Sequence, residues 1–307
     1  MPELPDIVVY REALEARLAG ATLEAIRLGH PFVLRSVSPA LEEAAGRRVT
    51  GVRRLGKRLV LALEGELFIV LHLMIAGRLH WKPRRAKLHR KMGLVAFDFT
   101  TGTLALTEAG SRRRAMMHVV AGERDLARHD PGGIEVLEAS MEAFSAALRR
   151  ERHTLKRALT DPRLFSGIGN AYSDEILHRA RLSPFKMNDA LSPEEIGRLR
   201  EACRAVLTEW TDRLRQETAG GFPEKVTAFR EGMAVHGRHR KPCPVCGAPV
   251  QRIVHAQNES NYCPGCQTQG RVLADRSLSR LLHDDWPRSL EELEARGLGL
   301  RRPEDGS

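Results

Sequence analysis

The sequence predicts a multidomain α+β protein: an N-terminal β-sandwich with a leading helix, a helical second domain, and a small C-terminal hairpin built around cysteines. Three observations predict it. Short apolar runs separated by turn residues fill the chain up to about Asp130. Helix-period patterns take over after Gly133. Two Cys-x2-Cys pairs lie near the far end. The chain has 307 residues, too many for one small core, and 42% are hydrophobic, enough for packed interiors.

The leading helix follows Pro5, because Ile7, Tyr10, Leu14 and Leu18 recur at helical spacing. Arg58 to Leu63 and Leu67 to Met74 read as short apolar strands. Val95 to Phe99 and Thr103 to Leu106 flank Thr100-Thr101-Gly102, a hairpin turn. The basic run from Lys82 to Lys91 reads as an exposed loop, which either touches phosphate or is simply solvated. Asp130-Pro131-Gly132-Gly133 reads as a linker. Met141 to Arg150 and Thr154 to Leu159 are candidate helices. Ser192-Pro193-Glu194-Glu195 opens another, with Ser as cap, Pro at the first position and Glu three residues on, running to about Arg215. Gly220-Gly221-Phe222-Pro223 breaks the chain before the cysteines. The expected domains are 1–130, 131–235, 236–270 and a partly helical extension, 271–307, whose last residues from Arg301 are expected to be disordered.

Lysine and arginine outnumber aspartate and glutamate 49 to 39, a net charge of +10. Such a balance suits a polyanionic partner, although a generally solvated basic surface gives the same count. No basic segment followed by an apolar run opens the chain, and no apolar run of about 18 residues occurs in it. A cytoplasmic, nucleoid-associated protein with no membrane contact is expected.

Cys243, Cys246, Cys263 and Cys266 form two Cys-x2-Cys pairs with 16 residues between them. Each pair closes a tight turn, so four thiolates can converge on one tetrahedral zinc with no position left for water. That zinc is structural. The alternative, a pair of disulfides, does not suit a reducing cytosol. His236, His239 and His255 flank the module and are expected at the surface or against nucleic acid rather than on the metal. Cys203 falls on a helical pattern with Ile196, Leu199, Val206 and Trp210 and is expected in a core.

Gly167-Ile168-Gly169-Asn170 joins two helical patterns. Its glycines permit sharp turning, and the amides that open the next helix can bind phosphate; an ordinary helix–helix turn would look the same. Together with three further motifs this segment makes the chain resemble the formamidopyrimidine-DNA glycosylase and endonuclease VIII family. Pro2-Glu3-Leu4-Pro5 resembles the family's opening catalytic motif. Lys57, in Leu55-Gly56-Lys57-Arg58, resembles its β-strand lysine. Gly167 to Leu177 resembles its helix–two-turns–helix signature. The four cysteines resemble its zinc finger. The match runs from residue 1 to about 267 and leaves the tail unaccounted for.

The resemblance implies a base excision repair enzyme, a bifunctional DNA glycosylase and abasic-site lyase, acting as a monomer on damaged double-stranded DNA. Once the initiator methionine is removed, Pro2 carries the free amine and attacks the sugar C1′ to form a Schiff base. Glu3 is the general acid/base, and Lys57 binds phosphate or assists proton transfer. Asn170 holds DNA backbone at the turn, and Lys156 and His72 are assigned to DNA contact with it. In Leu71 to Arg78, which resembles a wedge loop, Ile75 takes the usual methionine position with Met74 adjacent; both could equally be core residues. In Gly110 to Ala115, Arg112 takes the place of the arginine that faces the orphaned base, and Arg114 that of an aromatic wedge.

Three features depart from the family pattern. Asn258, followed by Glu259, stands where the zinc-finger hairpin has a phosphate-gripping arginine, so Arg252, His255 or Arg271 is expected to substitute. The region between Gly221 and Met233 is short, and the leucine-containing tail is extra. Retained lyase chemistry with an altered lesion preference is therefore expected. Two competing readings are a non-catalytic damaged-DNA-binding protein on the same scaffold, which Pro2 and Glu3 oppose, and a zinc-ribbon RNA-binding protein, which the helix–two-turns–helix segment opposes.

Overall fold

The computed structural model describes residues 1–110, 112–224, 226–255, 258–274 and 286–299. The chain forms two units: Met1–Gly133 with Thr208–Ala228, and Ile134–Leu207 with Phe229–Ser307. Among the described residues, no helix is long and apolar enough to cross a membrane.

The first unit opens with α1 (Leu4–Leu18), started by Pro5 in its first turn and by the Glu3 N–H, which donates to Asp6 Oδ2 at 2.9 Å. Its periodic residues Ile7, Tyr10, Leu14 and Leu18 are all fully buried. Eight strands follow: β1 (Leu23–Leu28), β2 (Val49–Leu55), β3 (Arg58–Leu63), β4 (Leu67–His72), β5 (Gly77–Lys82), β6 (Gly93–Phe99), β7 (Gly102–Glu108) and β8 (Met116–Ala121). They form two antiparallel four-stranded sheets, ordered β1-β6-β7-β5 and β2-β3-β4-β8. The continuous apolar runs of β3 and β4 have a simple cause. Leu59, Leu61, Ile69 and Leu71 enter the main core shared by both sheets and α1. The alternate residues Val60, Ala62, Phe68 and Val70 form a second cluster, closed by Leu126 of α2 (Glu123–Ala127). Both faces of this sheet are therefore apolar at these positions.

Two strand ends differ from expectation. Gly102 opens β7, paired with Phe99, instead of forming the turn, and a side chain there would meet the Trp81 ring. β4 stops at His72, since Met74 turns into left-handed backbone with φ of 52°. The basic run after β5 is mostly exposed, and Arg84 pairs with Glu24 at 2.7 Å.

In the second unit α3 (Met141–Arg149), α4 (Leu155–Thr160) and α5 (Asn170–Arg179) are followed by α6 (Pro193–Thr218). Ser192 and Glu195 exchange the hydrogen bonds of a capping box at the start of α6. Cys203 on α6 is fully buried, as its helical spacing predicts. The last part of α6 belongs to the first unit, where Arg215 makes a two-pronged ion pair with Glu12 at 2.7 and 3.0 Å. The cysteine module is a hairpin of β9 (Gln251–His255) and β10 (Asn258–Tyr262), followed by α7 (Pro264–Thr268). The extension adds α8 (Leu290–Ala295), which buries Leu293, and Tyr262 Oη accepts from the Leu273 N–H at 2.7 Å. Leu278, Leu281 and Leu282, and the disorder expected from Arg301 onward, lie outside the described residues.

Candidate active site and zinc centre

The first unit gathers its reactive groups at the chain start. Pro2 is buried, Glu3 is 2% exposed and Asp6 is 4% exposed. Lys57 joins them from the β2–β3 hairpin. Leu55 pairs with Arg58, so Gly56-Lys57 is a two-residue turn, and Gly56 has the positive φ of 59° that its first position requires. Lys57 is only 9% exposed. Burial lowers the pKa of the terminal amine below its ordinary 8.0. Glu3 and Asp6 oppose that shift, while Arg78 and Lys57 add to it. No local motif marks Arg78 for this place. It is held by donating to the Val226 carbonyl at 2.6 Å.

His72, at the end of β4, is part-buried, and its Nδ1 lies 2.6 Å from Met74 Sδ. Met74 thus folds back onto His72, while Ile75 projects into solvent, 55% exposed. Arg112 is exposed. Arg114 is shaped by Glu108, whose Oε2 accepts from the Arg114 and Ala115 N–H groups at 2.8 and 2.9 Å.

Burial lowers the His72 pKa to about 4, helped by Arg58, Lys57 and His118. His118 and His129, with ring centroids 4.7 Å apart, are also lowered, chiefly by burial. All three bind fewer protons folded than unfolded as pH falls below about 6.5. Their contribution is therefore complete above that pH and is lost as pH drops towards 4. Denaturant midpoints should fall between pH 7 and 5, and less steeply in His72→Asn; an unchanged slope in that variant would remove His72 from the account.

The second unit presents the helix–two-turns–helix segment, with Asn170 as the first residue of α5. Lys156 is 8% exposed, and its ammonium donates to the Asn170 carbonyl at 2.6 Å and to Asp174 Oδ1 at 2.5 Å. Asp174 Oδ2 lies 2.8 Å from His236 Nδ1 and accepts from Asn261 Nδ2 at 3.1 Å. Asn261 in turn donates to Glu259, which pairs with Arg252 at 3.6 Å. The neighbouring Glu175 accepts the N–H groups of Ala234, Val235 and His236 at 2.7 to 2.9 Å. The expectation of a surface His236 is corrected: it is 5% exposed because it partners the buried Asp174. The side chains of His255 and Asn258 lie outside the described residues.

The cysteines converge. Cys243 and Cys266 Sγ are 3.8 Å apart, and Cys246 and Cys263 Sγ are 3.3 Å apart. Tetrahedral zinc with Zn–S near 2.3 Å sets S···S at about 3.8 Å, so the donor set fits the ion. The Val245 and Cys266 N–H groups point at sulfur. His178 Nε2 lies 3.3 Å from Cys243 Sγ, placing an unforeseen imidazole against a ligand sulfur. This is one structural zinc site; Cys243, Cys263, Cys266 and His178 bring their ligand atoms within 4.8 Å of one another, with Cys246 against Cys263.

A β-sandwich with a buried amino terminus, a helix–two-turns–helix segment and a four-cysteine finger together define a zinc-finger DNA glycosylase of base excision repair. Models of the formamidopyrimidine-DNA glycosylase N-terminal domain, its H2TH domain and the zinc finger found in FPG and IleRS match residues 1–117, 133–217 and 240–269. The formamidopyrimidine-DNA glycosylase of Thermus thermophilus is 34% identical over 282 residues, 88% of this chain and 100% of that protein. The Heliobacterium modesticaldum enzyme is 32% identical over 280 residues, 87% of this chain and 100% of that protein. The crystal structure of the Thermus thermophilus protein superposes with a TM-score of 0.73 at 33% identity, covering 87% of this chain and 98% of that one. The Lactococcus lactis protein bound to abasic-site DNA shares the fold, with a TM-score of 0.77 at 23% identity over 87% of this chain and 99% of that one. The chain belongs to the formamidopyrimidine-DNA glycosylase family.

Proposed function

We propose that the protein removes oxidised or otherwise damaged bases from double-stranded DNA and then nicks the strand, using Pro2 as nucleophile. The observation that carries this reading is the buried pair Pro2 and Glu3 at the chain start, with Lys57 and Arg78 close to the terminal amine of Met1. Removal of Met1 hands these surroundings to the Pro2 nitrogen. Its lone pair attacks C1′ of the damaged nucleotide, the C1′–N glycosidic bond breaks, and the nitrogen gives up its proton; the C1′–O4′ bond then opens to leave the iminium, and Glu3 delivers the proton to the departing base or to that sugar oxygen. The resulting iminium acidifies the C2′ proton. Its loss expels the 3′ phosphate as an anion, and a further elimination expels the 5′ phosphate. Lys57 binds phosphate or assists these proton transfers.

In the second unit Asn170 contacts DNA backbone at the helix start. The Lys156 ammonium, spent on Asp174 and the Asn170 carbonyl, supports that contact by holding the turn in place. The protein acts as a monomer near the nucleoid, and the zinc finger adds DNA contacts whose lesion preference differs from relatives with an arginine in the place of Asn258.

Borohydride added to protein and an abasic-site duplex should trap a covalent adduct whose mass maps to Pro2. Pro2→Gly should form it about 10²-fold more slowly, since a primary amine loses the fixed cation and the positioning of the pyrrolidine ring. Absence of an adduct, with Met1 shown to be removed and DNA still bound, would favour the binding-only reading.

A further inference from the structure

A cavity of about 490 Å³ opens in the second unit, between the residues that follow α5, the start of α6 and the end of α7. Asn170 begins α5 and the cavity lies past its other end, so the two are separated by the ten-residue helix, about 15 Å. Arg181, Lys186 and Arg271 bring three cations to the cavity wall, and Glu195 brings the one carboxylate. That carboxylate is spent. Both of its oxygens accept from the Lys186 ammonium at 2.6 Å, and one also accepts the Ser192 N–H at 3.0 Å. Among the described residues the guanidinium groups of Arg181 and Arg271 have no hydrogen-bond or ion-pair partner. Two arginines facing one cavity with no acid left to answer them create a positive potential that an anion relieves.

A second observation concerns the backbone that carries Arg181. Its φ is 56°, in the left-handed region. The Arg181 and Leu182 N–H groups donate to the His178 and Leu177 carbonyls at 3.0 Å, which closes α5 in the manner that ordinarily has glycine at this position. An arginine here carries a conformational cost, and its side chain is not needed to satisfy those carbonyls. The wall beside it is fixed. Gln267 Nε2 donates to the Leu182 carbonyl at 2.9 Å, while its Oε1 accepts the Cys263 N–H at 2.8 Å. Arg271 comes from the extension, past the zinc-finger match that ends at residue 269.

We propose that this pocket binds a phosphomonoester, with Arg181 and Arg271 taking its oxygens and the Ser183 hydroxyl free to donate to one of them. A carboxylate offers two oxygens and one charge. A phosphomonoester offers three terminal oxygens and nearly two charges, which suits two guanidinium forks. The cavity is larger than a bare phosphate needs and has room for the sugar of a nucleotide. No aromatic ring lines it, so the base is not read. The ligand is either a free mononucleotide or the phosphate at a strand end. The site lies apart from the catalytic residues and does not depend on their chemistry.

The test titrates the full-length, zinc-loaded protein calorimetrically with deoxyadenosine 5′-monophosphate, thymidine 5′-monophosphate and deoxyadenosine. The two monophosphates should bind within about threefold of each other, because no ring is present to favour one base, and the nucleoside should not bind. Arg181→Gly should weaken binding about tenfold or more through loss of a charged hydrogen-bond donor. It should melt no lower than wild type, since glycine is at ease in the left-handed region. Arg271→Ala should weaken binding to a similar degree. A short 5′-phosphorylated single strand, compared with the same strand lacking the phosphate, separates the two sources. A preference for the phosphorylated strand that disappears in Arg181→Gly assigns the site to a strand end, and mononucleotide binding without that preference assigns it to a free nucleotide. Binding of neither, binding of deoxyadenosine as tight as that of its monophosphate, or undiminished binding by Arg181→Gly would overturn the site.

Discussion

Glu3→Gln should slow release of a damaged base by about 10²- to 10⁴-fold, the size of a lost general acid/base. The substitution keeps side-chain shape, and the Glu3 N–H that anchors Asp6 at 2.9 Å is untouched. What disappears is the proton donor and acceptor, buried at 2% exposure beside the terminal amine. Attack on a preformed abasic site does not require a departing base to be protonated. Borohydride trapping on abasic DNA should therefore fall much less than base excision on a lesion duplex. This split separates a chemical role from a folding role, since a misfolded variant would lose both activities together. Single-turnover excision within about threefold of wild type would reduce Glu3 to a packing residue; the expected loss is far larger.

Removing the zinc should unfold the cysteine module while the β-sandwich stays folded. Structural zinc contributes apparent free energies of about 10–16 kcal/mol in finger peptides, more than a hairpin this small can supply. Among the described residues the cluster around the cysteines is small: Val235, Val250, Cys243 and Cys263, with Ala248 and Cys266 against it. The first unit has an independent core running from Ile7 to Val119 and Val226. Chelation, or Cys246→Ser, should abolish amide protection over β9 and β10 in hydrogen exchange and leave β3 and β4 protected. DNA affinity should fall with it. Protection of β9 and β10 in protein shown to be metal-free would mean that the hairpin stands on packing alone.

The features legible in the sequence are those with local causes. Helical spacing from Ile7 to Leu18 marks α1, apolar runs mark β3 and β4, and the Ser192–Glu195 box marks α6. The two Cys-x2-Cys pairs mark the zinc site, because the metal requires four thiolates on two tight turns and such turns are made by neighbours in the chain. Pro2, Glu3 and Lys57 are recognisable through the motifs around them, and the same motifs carry the family resemblance.

Other features depend on residues far apart in the chain. His236 meets Asp174 across 62 positions and Asn261 meets it across 87, so nothing beside His236 in the sequence marks it as buried. Lys156 reads as a DNA contact until folding places Asp174 against it. Arg78 and His178 acquire their places beside the amine and a ligand sulfur in the same way. Local pattern marks the main elements and the presence of a zinc site, and the motifs that carry the family resemblance mark the chemical class. Folding in three dimensions selects which charges are buried and which rings are exposed, because burial depends on partners that no local pattern names.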